Sequence, residues 1–292
     1  MSFSSACVRW TQTKRAGIGS ALANKLEFMD GDFLKLLPDN PMRGVLPAAQ
    51  QHLPEGTAVE ATTVLAFHYR GGVMMAGDHR ATAGNMIFSD VVDKVLPLDG
   101  ESVMAIAGSP AVALEMARTL ETSFEFYRRS QLQPMSLRAK TRALSRLLKD
   151  NIPATLQGFG TVVPIFAGID RSAAQKRPTI FFYDPLGAEF ETANFAASGS
   201  GSDSVRSVLA FQETWGHPKP EAMSAKQATL FALQLLTTAA RFDSATGGVD
   251  PIAGHYASIY TLTPEGLNKV TSEDQARWWE RQSTPRRNSK KV

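Results

Sequence analysis

The chain has 292 residues, 43% of them hydrophobic, which is enough for one large core and somewhat long for an average domain. No apolar run approaches the roughly 20 residues needed to span a bilayer, so the composition favours a soluble protein without membrane or export signals. The net charge of +3 is small, and the single cysteine, Cys7, excludes an intramolecular disulfide and a cysteine-based zinc site.

Residues 1–61 differ in composition from the rest of the chain. They are rich in loop-forming residues, their six basic and six acidic side chains cancel, and they contain one helix-like segment at 21–37. A separate domain with so few apolar residues would be marginally stable. We therefore expect residues 1–61 to be a propeptide that folds only against its partners and is removed on maturation.

The segment 61–80 predicts a β-hairpin. Two apolar runs, 64–67 and 73–76, are joined across a Gly-Gly pair, which is typical of a tight hairpin. The first run follows two threonines that begin at Thr62, and the second run ends in a turn at Asp78. Chains often leave the core and carry their chemistry at such points, so the hairpin directs a threonine towards a carboxylate.

Two further strands and two helices are predicted next. The strand-like runs at 91–98 and 102–108 are separated by an Asp-Gly turn signal. Apolar residues spaced four apart, after an initial proline, predict a helix at 110–130. Ser136 can cap a second helix, which ends before Pro153.

The second half of the chain again mixes strands and helices. Its predicted elements are strands at 162–169, 179–183, 188–197, 256–262 and 267–270, and helices at 205–212, 224–240 and 272–281. Ser224 and Gln227 form a capping-box pattern at the start of the long helix. Strand blocks that alternate with helix pairs indicate a layered α/β or α+β protein.

The end of the chain is basic. Residues 281–292 contain five basic side chains and no acidic one. Such a segment can bind nucleic acid, but one with a proline and no aromatic residue is typical of a solvated, disordered end. We therefore expect residues 282–292 to form a disordered tail, and we expect no nucleic-acid partner.

Several motifs occur in the order and spacing of a known family. They are Thr-Thr at 62–63, Gly-Gly-Val at 71–73, Ala-Gly-Asp at 76–78, Gly-Ser-Gly at 199–201 and Asp-Ser-Ala-Thr-Gly-Gly at 243–248. Asp78 and Lys94 follow Thr62 by 16 and 32 residues. The stretch from about 54 to 270 resembles a proteasome β subunit of the bacterial, actinobacterial type. The resemblance implies an N-terminal nucleophile hydrolase fold, which is an α+β, four-layer αββα sandwich of two antiparallel sheets, with 62–281 as its catalytic domain.

The resemblance implies that Thr62 is the nucleophile of a threonine endopeptidase. A threonine hydroxyl needs a base, and the residue's own α-amine can serve once the preceding peptide bond is cut. Cleavage between Ala61 and Thr62 would free this amine, although the family commonly has glycine in place of Ala61. The amine has a reference pKa of about 7.7 to 8.0, and a nearby cation keeps more of it neutral near pH 7. By the same resemblance Lys94 is this cation, and Asp78 holds Lys94 in place and charged.

Other site residues follow from the family pattern. Gly108 ends an apolar strand before a helix, so its backbone N–H can face the oxyanion of the attacked carbonyl. Ser200, Asp243 and Thr246 match positions that complete the site around the threonine amine, where serine is also found in place of Thr246. His79 occupies a position where arginine is frequent, so one positive charge there depends on pH.

The substrate pocket is assigned only by resemblance. Ala81, Ile106 and Pro110 match positions that line the pocket beside the scissile bond, and Thr82 matches one that hydrogen-bonds the substrate backbone. Because the three pocket residues are uncharged, we expect cleavage after apolar residues, although proline is unusual at position 110.

The resemblance also implies an assembly. It predicts two stacked homoheptameric β rings capped by α-subunit rings, unfolded polypeptide substrates, an ATPase activator and a cytoplasmic location, with no metal, cofactor or membrane. Two rival interpretations are a stand-alone N-terminal nucleophile amidohydrolase and a silent structural subunit of the barrel. The Gly-Gly-Val and Asp-Ser-Ala-Thr-Gly-Gly motifs count against the first. Retention of Thr62, Asp78 and Lys94 counts against the second.

Overall fold

The structure, a computed structural model, describes residues 62–83, 86–158, 160–172, 176–192 and 194–283. The predicted propeptide, 1–61, lies outside the described residues, as does the end of the basic tail, 284–292.

The described residues form strands and helices in the order expected of a mixed fold. The strands are β1 (Thr63–Tyr69), β2 (Gly72–Gly77), β3 (Ala81–Ala83), β4 (Met86–Ser89), β5 (Val95–Asp99), β6 (Ser102–Ala105), β7 (Ile165–Ile169), β8 (Pro178–Tyr183), β9 (Glu189–Thr192), β10 (Phe195–Gly199), β11 (Ser258–Thr263) and β12 (Gly266–Val270). The helices are α1 (Pro110–Gln131), α2 (Leu137–Asp150), α3 (Ile152–Leu156), α4 (Ser202–Thr214), α5 (Ala225–Ala239) and α6 (Ser272–Ser283). None of these helices is long and apolar enough to cross a membrane.

Ten of these strands form two five-stranded antiparallel sheets, and β3 and β4 form a separate two-stranded one. The first has the order β10-β1-β2-β11-β12 and the second the order β5-β6-β7-β8-β9. The predicted hairpin of β1 and β2 is confirmed, and both strands are buried along their whole length. A strand covered on both faces has a continuous apolar sequence, which is why this hairpin was recognisable.

Three apolar clusters define four layers. One lies between the sheets and includes Val64 and Ile165. A second packs the outer face of the first sheet, including Leu65, against α4 and α5. A third packs the outer face of the second sheet against α1 and α2 around Phe166 and Leu144. The predicted αββα sandwich of antiparallel sheets is therefore confirmed. Because successive side chains of a strand alternate, even-numbered residues of β1 face the other sheet and odd-numbered ones face the helices.

The helix termini agree with the capping signals in the sequence. Ser136 accepts a hydrogen bond from the N–H of Ala139 at the start of α2. Both bonds of the predicted capping box between Ser224 and Gln227 are present at the start of α5. Proline occupies the first position of α1, where its missing N–H costs nothing.

Two predicted strands were wrong in their extent. The run at 188–197 is two strands, because β9 pairs with β8 in the second sheet whereas β10 pairs with β1 in the first. The run at 91–98 becomes a strand only at Val95, and the residue before it, Lys94, has its side chain in a buried ion pair with Asp78. The short hairpin of β3 and β4 was not predicted.

Candidate active site

The backbone of Thr62 is held by the end of β10. Thr62 directly precedes β1 and is only 3% exposed. Its carbonyl oxygen accepts a hydrogen bond from the N–H of Ser200 at 2.9 Å. Gly199 makes this approach possible, because it has a φ of 96° and a Cβ there would lie 1.8 Å from the Thr62 carbonyl oxygen. The first glycine of the Gly-Ser-Gly motif is therefore required by geometry.

Asp78 connects three parts of the chain at the end of β2. Its Oδ1 accepts hydrogen bonds from the N–H of Thr63 at 2.9 Å and from Nζ of Lys94 at 2.7 Å. Its Oδ2 accepts from the N–H groups of Arg80 at 2.9 Å and Gly247 at 2.8 Å. A carboxylate with four donors has a fixed orientation, so Asp78 sets the position of the lysine relative to the residue that follows Thr62.

Lys94 is a buried cation at this site. Only 2% of the residue is exposed, and Nζ donates to the carbonyl oxygen of Arg80 as well as to Asp78. Burial lowers the pKa of Lys94 below its usual range, although the carboxylate of Asp78 opposes the shift. Because one oxygen of Asp78 binds both Lys94 and the Thr63 amide, the ammonium lies within two hydrogen-bond lengths of the start of β1.

A second polar cluster joins Ser200, which follows β10, to the loop after α5. Oδ2 of Asp243 accepts hydrogen bonds from Oγ of Ser200 at 2.6 Å and from Oγ1 of Thr246 at 2.5 Å, and the N–H of Ala245 donates to Oδ1. Burial alone would raise the pKa of Asp243. The hydrogen bonds from Ser200, Thr246 and Ala245, together with the charge of Lys94, hold this pKa below its usual range. The three residues predicted to complete the site are thus joined around one carboxylate.

Thr63 was missed as a site residue. It is fully buried, and its Oγ1 lies 2.5 Å from Oγ1 of Thr246 and accepts a hydrogen bond from the N–H of Gly201 at 3.0 Å. The Thr-Thr pair was visible in the sequence, but strand alternation directs only one of the two side chains towards the helix side. Alternation could therefore have indicated that Thr63 faces different partners from Thr62.

Gly108 has a backbone suited to the predicted oxyanion role. Its φ is 101°, and a Cβ there would lie 2.1 Å from the carbonyl oxygen of Thr161. Gly108 forms an isolated antiparallel β-bridge with Val162. The two hydrogen bonds of this bridge are made by the neighbours of Gly108: the N–H of Ser109 donates to Thr161, and the carbonyl oxygen of Ala107 accepts from Val163. The N–H of Gly108 therefore points away from Val162, to the side where the N–H of Ile106 donates to the carbonyl oxygen of Lys94.

The predicted pocket residues lie on two segments that meet Lys94. Ala81 and Thr82 begin β3, directly after the residue whose carbonyl oxygen Lys94 contacts, and both are buried. The backbone of Ile106 donates to that of Lys94 at 2.9 Å, while its side chain packs in the core beneath α1. Pro110 starts α1 and is partly exposed. Their role in substrate binding stays a prediction.

A cavity of about 600 Å³ lies elsewhere, at the turn between β1 and β2, and is lined in part by Arg70, Arg177 and Glu221. This turn is at the opposite end of β1 from Thr62, so the cavity is separate from the polar groups described above. Within the described residues no group of three or more possible metal ligands occurs.

Comparison with known proteins identifies similar chains. A family model described as "Proteasome subunit" matches residues 58–253. The chain is 37% identical over 237 residues to "Proteasome subunit beta 1" of Streptomyces avermitilis, which covers 80% of this chain and 79% of that protein. It is 36% identical over 235 residues to "Proteasome subunit beta" of Jonesia denitrificans, which covers 80% of this chain and 75% of that protein.

Proposed function

The chain belongs to the proteasome subunit family, and we propose that it is a catalytic β subunit in which Thr62 is the nucleophile of a threonine-type endopeptidase. The observation that carries the assignment is the position of Asp78. One of its oxygens binds the amide directly after Thr62 and the buried ammonium of Lys94. This arrangement holds a cation beside the place where a free threonine amine would act as base.

We propose that maturation is autocatalytic. The hydroxyl of Thr62 attacks the carbonyl carbon of Ala61, the C–N bond between the two residues breaks, and the acyl group passes to the threonine oxygen as an ester. Water then hydrolyses the ester. The products are the leader, 1–61, with a free carboxylate, and a chain that begins with the free amine of Thr62.

The mature site would then use the same groups on a polypeptide substrate. The α-amine of Thr62 accepts the hydroxyl proton as Oγ1 attacks the scissile carbonyl, and it returns that proton to the leaving amine. The N–H of Gly108 stabilises the developing oxyanion. Lys94 favours the neutral form of the amine, while Ser200, Asp243 and Thr246 fix the hydroxyl groups around it. Water hydrolyses the resulting ester and releases the second product.

The cleavage preference is proposed from the pocket positions. Ala81, Ile106 and Pro110 carry no charge, so the residue before the scissile bond should be apolar, and Thr82 would bind the substrate backbone. Peptides that differ only at this residue test the proposal. Faster cleavage after an acidic or basic residue than after leucine would overturn it.

As a proteasome β subunit, the chain assembles with α subunits and other β subunits. A group of apolar side chains on the β3–β4 hairpin and just after it is exposed in the single chain, which supports a contact with a neighbouring subunit at this surface. They are Met86, Ile87, Phe88 and Val91. We further propose paired homoheptameric β rings capped by α rings, in the cytoplasm, with an ATPase that unfolds and delivers substrates. Enclosure makes access, and not sequence, the main control over an endopeptidase with an apolar preference.

The test is to express the full chain with and without its α subunit and to measure particle mass, chain mass and peptide hydrolysis together. The active particle should contain chains that begin at Thr62, and Thr62→Ala should leave the chain uncut and inactive. Full activity from an isolated monomer would favour the stand-alone amidohydrolase. A particle that is active with residues 1–61 attached would overturn the proposed maturation.

A further inference from the structure

We propose that Thr63 is a positioning residue whose hydroxyl ties the Ser200–Asp243–Thr246 cluster to the strand that begins after Thr62. This inference rests on the proposed function and adds to it a residue that the family pattern did not assign. We do not assign Thr63 a direct contact with the reacting atoms. It acts through the backbone and side chains on either side of the nucleophile.

The contacts of Thr63 connect the two polar clusters of the site. Its backbone N–H donates to Oδ1 of Asp78, the oxygen that also binds Lys94. Its side-chain oxygen lies 2.5 Å from that of Thr246, which in turn contacts Asp243. One residue therefore fixes both clusters relative to Thr62, through its backbone on one side and its hydroxyl on the other.

The direction of each hydrogen bond follows from the donors available. Thr246 has one hydroxyl proton, which it donates to the carboxylate of Asp243. Thr246 can then only accept from Thr63, so the hydroxyl of Thr63 is the donor in the 2.5 Å contact. The hydroxyl oxygen of Thr63 also accepts a hydrogen bond from the N–H of Gly201. Hydrogen bonds are therefore donated in one direction along this chain, from Gly201 to Thr63, from Thr63 to Thr246 and from Thr246 to Asp243.

This network leaves little room for another arrangement. A Cβ at Gly201 would lie 2.6 Å from Oγ1 of Thr63 and 2.7 Å from Oγ1 of Thr246. Thr63 is fully buried, as is Thr246, so water cannot readily replace a lost hydroxyl. Removing the Thr63 hydroxyl would leave the buried oxygen of Thr246 without its donor, so that its bond to Asp243 alone would hold this side chain in place.

Thr63→Val tests the inference because it removes the hydroxyl and keeps the shape. Small displacements of catalytic groups reduce rates strongly, so we expect kcat for peptide hydrolysis to fall roughly 10- to 100-fold. The KM should change little, since Thr63 lies outside the predicted substrate pocket. Thr63→Ser, which restores the hydroxyl, should recover most of the kcat. Where Thr63→Val does not assemble, Thr63→Ala removes the same hydroxyl without adding a methyl group beside Thr246.

The matched control is Thr229→Val. Thr229 is also fully buried, but its hydroxyl donates within α5 to the carbonyl oxygen of Ala225. We expect this variant to keep its activity. An equal loss in Thr229→Val would overturn the inference, because the effect would then follow from removing any buried hydroxyl.

A double-mutant comparison of Thr63 and Thr246 gives a second test. If Thr63 acts through Thr246, then Thr63→Val, Thr246→Val and the double variant should lose similar amounts of kcat. Losses that multiply in the double variant would overturn the inference. If Thr63→Val keeps the wild-type kcat while Thr62→Ala is inactive, only the inference about Thr63 is refuted. If Thr62→Ala is active, the proposed function itself is refuted.

Discussion

Replacing Asp78 by asparagine should destabilise the fold as well as stop catalysis. Lys94 is 2% exposed and its ammonium lies 2.7 Å from Asp78, so the substitution leaves a buried charge without its counter-ion. Removing one partner of a buried ion pair costs about 3 to 5 kcal/mol. The asparagine amide also presents hydrogens where Asp78 accepts from protein N–H groups, such as those of Arg80 and Gly247. We therefore expect the thermal midpoint of the assembled particle to fall by roughly 6 to 20 °C.

The double variant Asp78→Asn, Lys94→Met separates the two effects. Methionine removes the uncompensated charge and keeps much of the side-chain volume, so most of the lost stability should return. Peptide hydrolysis should not return, because the cation beside Thr62 is gone. The assay compares the unfolding midpoint and peptide hydrolysis of the wild type, both single variants and the double variant.

A second ion pair of a buried lysine, with a partly exposed carboxylate, provides the control. Lys140 is also 2% exposed and donates to Asp99 at 2.6 Å, beneath α1 and away from Thr62. Lys140→Met should lower the midpoint and leave kcat unchanged. If the double variant at Asp78 and Lys94 unfolds at the same temperature as Asp78→Asn alone, the uncompensated charge is not the cause of the instability and the reasoning fails.

Two further predictions concern pH and backbone geometry. Burial lowers the pKa of Lys94, so its charge is lost as pH rises through a range below that of an ordinary lysine, and wild-type activity should fall there. A pH–rate profile that stays flat up to the range of an ordinary lysine would contradict the role of Lys94. Gly199→Ala should abolish maturation, because the new Cβ would overlap the Thr62 carbonyl oxygen. Gly158 also has a positive φ but faces open space, so Gly158→Ala should mature normally. Failure of both variants to mature, judged by intact mass, would show that the positive φ and not the close contact decides, and normal maturation of both would show that neither does.

The sequence was most informative where chemistry requires fixed spacing. The spacing that resembles the family singled out Thr62, Asp78 and Lys94, and in the structure one oxygen of Asp78 binds both Lys94 and the amide of the residue after Thr62. The Asp-Ser-Ala-Thr-Gly-Gly motif likewise indicated the carboxylate of Asp243 and the hydroxyl of Thr246 that donates to it. Such residues can be found from one chain because their order and spacing are constrained by the site.

Contacts between distant segments were harder to predict. Nothing in the run 188–197 indicates that the chain leaves one sheet and enters the other near Asn194, since apolar content is compatible with either partner strand. The contacts of Thr63 are with the residues after β10 and with the loop after α5, which meet only in the folded chain. The direction of the Gly108 N–H required the register with Val162.

The hydrogen bond from Ser200 to the carbonyl of Thr62 has a consequence for the timing of activation. This contact, and those of Thr63 with Asp78 and Thr246, lie on the carboxyl side of Thr62, whereas the bond to be cut lies on its amino side. Cleavage therefore need not break any of them. With the proposed cleavage, the new terminus would arise at a residue that is already held on its carboxyl side, and loss of the leader would supply the missing base there. Activation of this protein would convert an amide nitrogen into a free amine while the contacts that hold Thr62 stay in place, in contrast to zymogens that must rebuild a loop after they are cut.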